Sequence, residues 1–153
     1  MAMSGYSLPV VYEPISAVTT APKTQPGERI CYAGEEYVYV YNNGGSQINP
    51  TYAAVVSALS GASVTVSSLT NAGAPYGVCK HATITTGAYG WLLVRGFVNL
   101  VNGMASTAVA AGDLVELAAN GAVAAHGSAV PFAKAMAATG SAGSFAAQVR
   151  CWG

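Results

Sequence analysis

The chain has 153 residues, of which 8% are charged, with six Lys and Arg against six Asp and Glu and a formal net charge of zero. An ordinary soluble domain carries roughly 25% charged residues. This composition excludes a disordered polyelectrolyte tail, which needs high charge and few apolar groups, and argues against a nucleic-acid binder, which needs surplus cations to neutralise phosphates.

Residues 1–30 stand apart. They lack the basic stretch and apolar core of a signal peptide, and they hold four of the seven prolines, Pro9, Pro14, Pro22 and Pro26. Proline fixes φ, removes a donor and biases the preceding residue toward extended geometry, so the segment forms neither a helix nor a central strand. Leu8, Val10, Val11, Tyr12 and Ile15 make it too apolar for a solvated tail. The expectation is an extended arm lying on a neighbouring subunit through those five side chains, with folding back on its own domain as the alternative. A β domain over residues 31–153 is then expected to fold without residues 2–27.

Glu35 to Tyr41 alternates, with Tyr37, Tyr39 and Tyr41 on one face and Val38 and Val40 on the other, which predicts a strand of strong β formers. If the valines face the core, the three tyrosines face outward as an interface or a sugar platform; packing on the core is the other reading. Asn42-Asn-Gly-Gly45 reads as a tight reversal. From Val38 to Cys79 no residue is charged, yet no 18 apolar residues run together, so a membrane-spanning helix is not expected. Ala53–Leu59 is short and apolar, either a helical turn or a strand, and Ser63–Leu69 alternates as a strand.

The second half is cut by glycine at short intervals. Ala82–Thr86 is β-branched, Gly87–Gly90 reverses the chain, and Trp91–Val101 is the strongest predicted strand, with a bulge or close approach at Gly96. Trp91 and Phe97 are candidate core residues. Strands are also predicted at Gly112–Leu117, Ala122–Ala125, Ala129–Ala138 and Ser144–Trp152. Too many glycines interrupt the alanine-rich stretch for it to be helix. Strands with turns every ~8–12 residues predict an all-β fold, a small β-barrel or β-sandwich.

Chemistry is sparse. The hydrolase, zinc-protease, phosphate-loop and calcium-loop motifs do not occur. Asp113 reads as a turn residue bonding local amides, and Glu116 falls on the opposite face of its strand. Cys79 and His81 would share a strand face as a thiolate–imidazolium pair, but nothing recognisable orients them. His126 reads as solvated. Cys31, Cys79 and Cys151 form no CxxC pair and are expected to be buried reduced thiols. No catalytic, metal or cofactor residue is assigned.

The order of an extended arm, GEEYVYVYNNGG (34–45), ITTGAYGWLLVRGFVNLVN (84–102), AAGDLVELAANGAVAA (110–125) and AVPFAKAMAATGSAGSFAAQVRCW (129–152) resembles the capsid decoration, or cement, proteins of tailed bacteriophages over residues 28–153. The resemblance implies a small barrel and a non-enzymatic virion protein made in the host cytoplasm. It implies binding to the major capsid protein on the outside of an expanded head, which stabilises the mature lattice, and self-association, often into homotrimers with arms reaching over capsid subunits. A chain so poor in charge, with no net charge, associates readily. The rival readings are a virion fibre or carbohydrate-binding module, and a small cysteine-dependent enzyme. No nucleic-acid or membrane partner is expected.

Overall fold

The computed structural model describes residues 13–58, 63–66, 75–103, 108–118, 121–128, 130–140 and 143–151. Among the described residues ten strands form one sheet: β1 (Arg29–Tyr32), β2 (Glu35–Asn42), β3 (Ala53–Ala58), β4 (Ser63–Val66), β5 (Gly77–Cys79), β6 (Tyr89–Val101), β7 (Leu114–Leu117), β8 (Val123–Ala125), β9 (Ala133–Ala135) and β10 (Ser144–Arg150). Among the described residues there is no α-helix. The expected all-β class is what the chain adopts.

The sheet curls back on itself. β2 pairs antiparallel with the first half of β6 and parallel with β4; β4 pairs with β3, β3 with β5, and β5 with β6. These pairings run round in a ring. The second half of β6 continues into β10, then β9, β7 and β8. A parallel bridge from Asn102 to Val123, with the Gly103 N–H donating to the Val123 carbonyl at 2.8 Å, brings β8 back beside the end of β6. One 13-residue strand therefore serves both halves of the molecule.

The junction lies at Gly96, whose φ of +151° suits glycine. A Cβ there would stand 2.7 Å from the Glu35 carboxylate. The register of β2 against β6 also shifts between Glu36 and Tyr37. The bulge expected at Gly96 is thus an irregularity on both strands.

β2 is buried on both faces: Tyr37, Val38, Tyr39 and Val40 are all 1% exposed or less. Val38 lies opposite Leu92, and Tyr37, Tyr39 and Tyr41 lie opposite Leu93, Trp91 and Tyr89. β5 lies closely on β6, and a Cβ at Gly77 would come within 2.7 Å of Leu92 Cβ and 3.1 Å of the Leu93 carbonyl oxygen. Gly77→Ala is expected to lower stability by about 1–3 kcal/mol through overpacking, read as a lower urea midpoint. An unchanged midpoint would mean that β5 yields without loss.

Several local expectations change. Ala53–Ala58 is strand, not a helical turn. Asn42–Gly45 does not close a hairpin: the Asn42 side chain is buried, donating to the Ser46 and Ile84 carbonyls at 3.0 and 2.9 Å and accepting from the Gly44 N–H at 3.1 Å. These bonds hold a wider loop that carries the chain to Ile48. Ala82–Thr86 contributes only the isolated bridge Ile84↔Ile48, and of the described residues of the strand predicted over 129–138 only Ala133–Ala135 are strand. The boundary expected at residue 30 falls inside β1. Phe97 is 56% exposed and is not core, because it sits on the outward phase of β6; Trp91, at 3%, is core.

Candidate interaction face

The described part of the arm lies on its own domain. Ile15 and Val18 pack against the core. Thr19 and Tyr89 exchange backbone hydrogen bonds of 3.1 and 2.8 Å, and Trp91 Nε1 donates to the Glu13 carbonyl at 2.9 Å. Gly27 and Glu28 extend the pairing of β1 along Tyr39. Residues 13–28 thus cover the tyrosine face of β2 that would otherwise be wet, the folded-back alternative for this part of the arm. Leu8, Val10, Val11 and Tyr12 lie outside the described residues.

This cover corrects the tyrosine reading. Tyr37 and Tyr39 are core, closed to any partner, and Tyr41 is half-buried with its ring 4.8 Å from Tyr89. Tyr39 lies 4.9 Å from Trp91 and 6.1 Å from Tyr89, ring to ring. Burial first, and then the Glu13 carboxylate, pushes the Tyr39 phenol up to about 12.

Cys79 and His81 do not form a nucleophilic pair. β5 ends at Cys79, and His81 turns away to meet the Tyr37 hydroxyl at 3.1 Å. The Cys79 thiol is buried, donates to the Ala82 carbonyl at 3.2 Å and is pushed up to about 12 by burial. A thiol so placed supplies no thiolate near neutrality. Cys151 is likewise buried, whereas Cys31 is exposed, contrary to expectation, because β1 is short and edges the sheet. Asp113 Oδ2 accepts from the Ala110 N–H at 2.8 Å, the local turn role expected of it. His126 is not simply solvated: its Nδ1 lies 3.0 Å from Glu116 Oε2. Among the described residues no group of three or more His, Cys, Asp or Glu could hold a metal ion.

Glu35 is a node that sequence reasoning missed. Its carboxylate accepts from Lys80 Nζ, from the Tyr37 hydroxyl at 2.7 Å and from the Phe97 N–H at 2.9 Å. The last bond replaces a strand partner where β2 and β6 diverge at Gly96. Burial raises the carboxyl, but the hydrogen bonds from Lys80, Tyr37 and the Phe97 amide outweigh it and hold the pKa below 4.5. No sequence motif marks this cluster, because its members come from three separate elements.

Several large exposed apolar side chains gather on the outward face of β6, β10, β9 and β7. The register aligns Phe97 with Gln148, Gln148 with Lys134, and Lys134 with Leu114. All four point outward and are exposed. One row along, Arg95 lies directly opposite Arg150. On the other side Asn99 pairs with Ala146, whose carbonyl accepts from the Met136 N–H. Phe97, Leu114 and Met136 are 56%, 48% and 52% exposed. Two hollows mark the face. One, of about 320 Å³, is lined by Arg95, Leu114, Pro131, Phe132, Ala133, Lys134, Gln148, Val149 and Arg150. The other, of about 350 Å³, is lined by Thr51, Lys80, Phe97, Val98, Asn99 and Ala146. Large apolar side chains beside Arg and amide groups are the composition of a protein contact surface.

No protein-family model matches the sequence, and no curated protein matches it. Among solved structures, the N base of head fiber gp8.5 of bacteriophage phi29 is similar in fold, with a TM-score of 0.53 over 74% of this chain and 93% of that one, at 10% sequence identity. The likeness is one of fold.

Proposed function

We propose that this chain is a structural protein of a tailed-phage virion that decorates the outside of the head and binds the major capsid protein. The fold shared with the base of a phage head fibre carries the reading. Two further observations support it. Only 8% of residues are charged, which suits a molecule covered by other protein. The outward face of β6, β10, β9 and β7 presents Phe97, Leu114 and Met136 about half exposed. A decoration protein stabilises the mature lattice by mass action, since it binds that state and not its precursors. Weak contacts repeated over a symmetric shell then add through avidity. In this reading the chain is made in the host cytoplasm, assembles as a homotrimer, and has no catalytic or cofactor role.

A second reading, the base of a head fibre, is favoured by the same structural likeness.

The test is co-sedimentation of the purified protein with purified heads of its own phage. Saturable binding is expected, and the Phe97→Ala/Leu114→Ala variant should lose about tenfold or more in affinity, in line with the truncation of interface anchors. Its thermal midpoint should stay close to that of the parent. Absence of binding to heads by the parent protein would overturn the virion reading; equal binding by the variant would move the contact to another face.

A further inference from the structure

We propose that the hollow beside Phe97 binds a neutral hexopyranose, with the C–H face of the sugar on the Phe97 ring and its hydroxyls on Thr51, Lys80 and Asn99. The hollow holds about 350 Å³ and is lined by these four residues with Val98 and Ala146, which puts it at the small end of ligand sites. Phe97 is 56% exposed. A pyranose presents a patch of weakly positive C–H bonds, which matches the negative face of an aromatic ring. Asn99 stands on the same outward phase of β6 as Phe97. Two residues of strand span about 6.6–6.8 Å, so the amide falls beside the hydroxyls of a ring laid on Phe97.

Thr51 points the same way. Asn49-Pro50-Thr51-Tyr52 is a tight turn, with the Tyr52 N–H on the Asn49 carbonyl at 3.2 Å and Thr51 at a φ of +79°. Proline followed by a positive φ is the geometry of a type II turn, whose third position calls for glycine or asparagine. A β-branched residue there is strained. The turn is pinned in place: the Thr51 N–H donates to the Cys79 carbonyl at 2.8 Å, and the Cys79 N–H to the Tyr52 carbonyl at 2.9 Å. Glycine would make this turn without strain; what threonine adds is a hydroxyl in the wall of the hollow. Among the described residues neither that hydroxyl nor the Asn99 side-chain amide has a hydrogen-bond partner. Strain of this kind collects where a side chain serves a ligand.

Electrostatics select a neutral ligand. Lys80 Nζ is bound to Glu35 Oε2, so the ammonium brings its remaining donors to the hollow with its charge already balanced. The other oxygen of the same carboxylate accepts from the Phe97 N–H at 2.9 Å. One side chain therefore fixes both the aromatic floor and the donor beside it before a ligand arrives. A phosphate or carboxylate would have to compete with Glu35 for Lys80, whereas a sugar hydroxyl does not. None of this depends on the virion reading, since the free protein is enough. Because Phe97 also belongs to the face proposed to meet the head, sugar and head are expected to exclude one another.

The test titrates the full chain with the methyl glycosides of glucose, galactose, mannose and N-acetylglucosamine and follows its amide resonances. At least one glycoside is expected to bind saturably, to shift Thr51, Lys80, Phe97 and Asn99, and to hold its affinity as salt is raised. Phe97→Ala and Asn99→Ala should each weaken it by about tenfold, as for loss of an anchoring side chain. Thr51→Gly should weaken it several-fold through the lost hydroxyl, while its thermal midpoint equals or exceeds that of the parent, an opposition that misfolding cannot produce. Failure of every glycoside to shift these residues, unchanged binding by Asn99→Ala and Thr51→Gly, or tighter binding of inorganic phosphate or acetate in the hollow would overturn the proposal.

Discussion

Trp91→Ala is expected to lower the unfolding free energy by about 3–5 kcal/mol, the range for truncating a large buried aromatic. Trp91 is 3% exposed, its ring lies 4.9 Å from Tyr39, and its indole N–H holds the Glu13 carbonyl. The substitution opens a cavity under the tyrosine face and releases the segment that covers it. Small domains have only about 5–15 kcal/mol in total, so the variant should be near the edge of folding at 37 °C. Phe97→Ala, six residues on in the same strand, should change stability by about 0.5 kcal/mol or less, as expected at an exposed position. Urea denaturation of both variants is the measurement. A Trp91→Ala protein within about 1 kcal/mol of the parent would fall outside that range and show that the face under the arm is not core.

Glu35→Ala is the second large effect, about 2–3 kcal/mol. Removing one partner of a fully buried ion pair is worth about 3–5 kcal/mol; the Lys80 and Glu35 side chains are 27% and 16% exposed, so solvent reduces that figure. The loss also leaves the Phe97 N–H without its acceptor at the point where the two strands part. The same node makes folding pH-dependent. Because the Glu35 pKa is lowered in the folded protein, its contribution is complete above 4.5 and is lost as pH falls through the folded value. His81 acts in the same direction at higher pH. Burial and then the Lys80 charge lower its pKa from 6.5, so the folded state resists its protonation and stability begins to fall below that point. Glu35→Gln should flatten the acid part of the profile, and, because the Glu35 charge opposes the lowering of the His81 pKa, should deepen the part set by His81. A parallel profile for parent and Glu35→Gln would remove Glu35 from the account.

Strand identity was legible wherever a period of two coincided with β formers, as at Glu35–Tyr41 and Trp91–Val101. What alternation could not say is how many faces a strand buries. Tyr37 and Tyr39 read equally as outward or as core, because their neighbours Val38 and Val40 also claim the core; the covering layer that decides it comes from residues 13–28, far away in sequence and too rich in proline to announce itself as packing. Phe97 misled for the converse reason. It follows an apolar run, but Gly96 interrupts the strand and places Phe97 on the open face of the sheet. Glu35 looked like an ordinary edge charge, and only the fold brings Lys80, Tyr37 and the Phe97 amide to it. The hollow beside Phe97 was likewise invisible, since Thr51, Lys80 and Asn99 come from three separate stretches and meet only in the fold.

The central position of β6 also has a consequence for biogenesis. Thr19 waits for Tyr89, β2 waits for the same stretch, and β5 has nothing to lie on until Leu92 and Leu93 have been made. Nearly two-thirds of the polypeptide must therefore leave the ribosome before the first half can acquire its long-range ladder, and such non-local closure is slow. During that interval Val38, Tyr39 and Val40 are unsheltered in a nascent chain with little charge to keep copies apart. Chaperone occupancy during translation should accordingly drop when β6 emerges, well before synthesis ends.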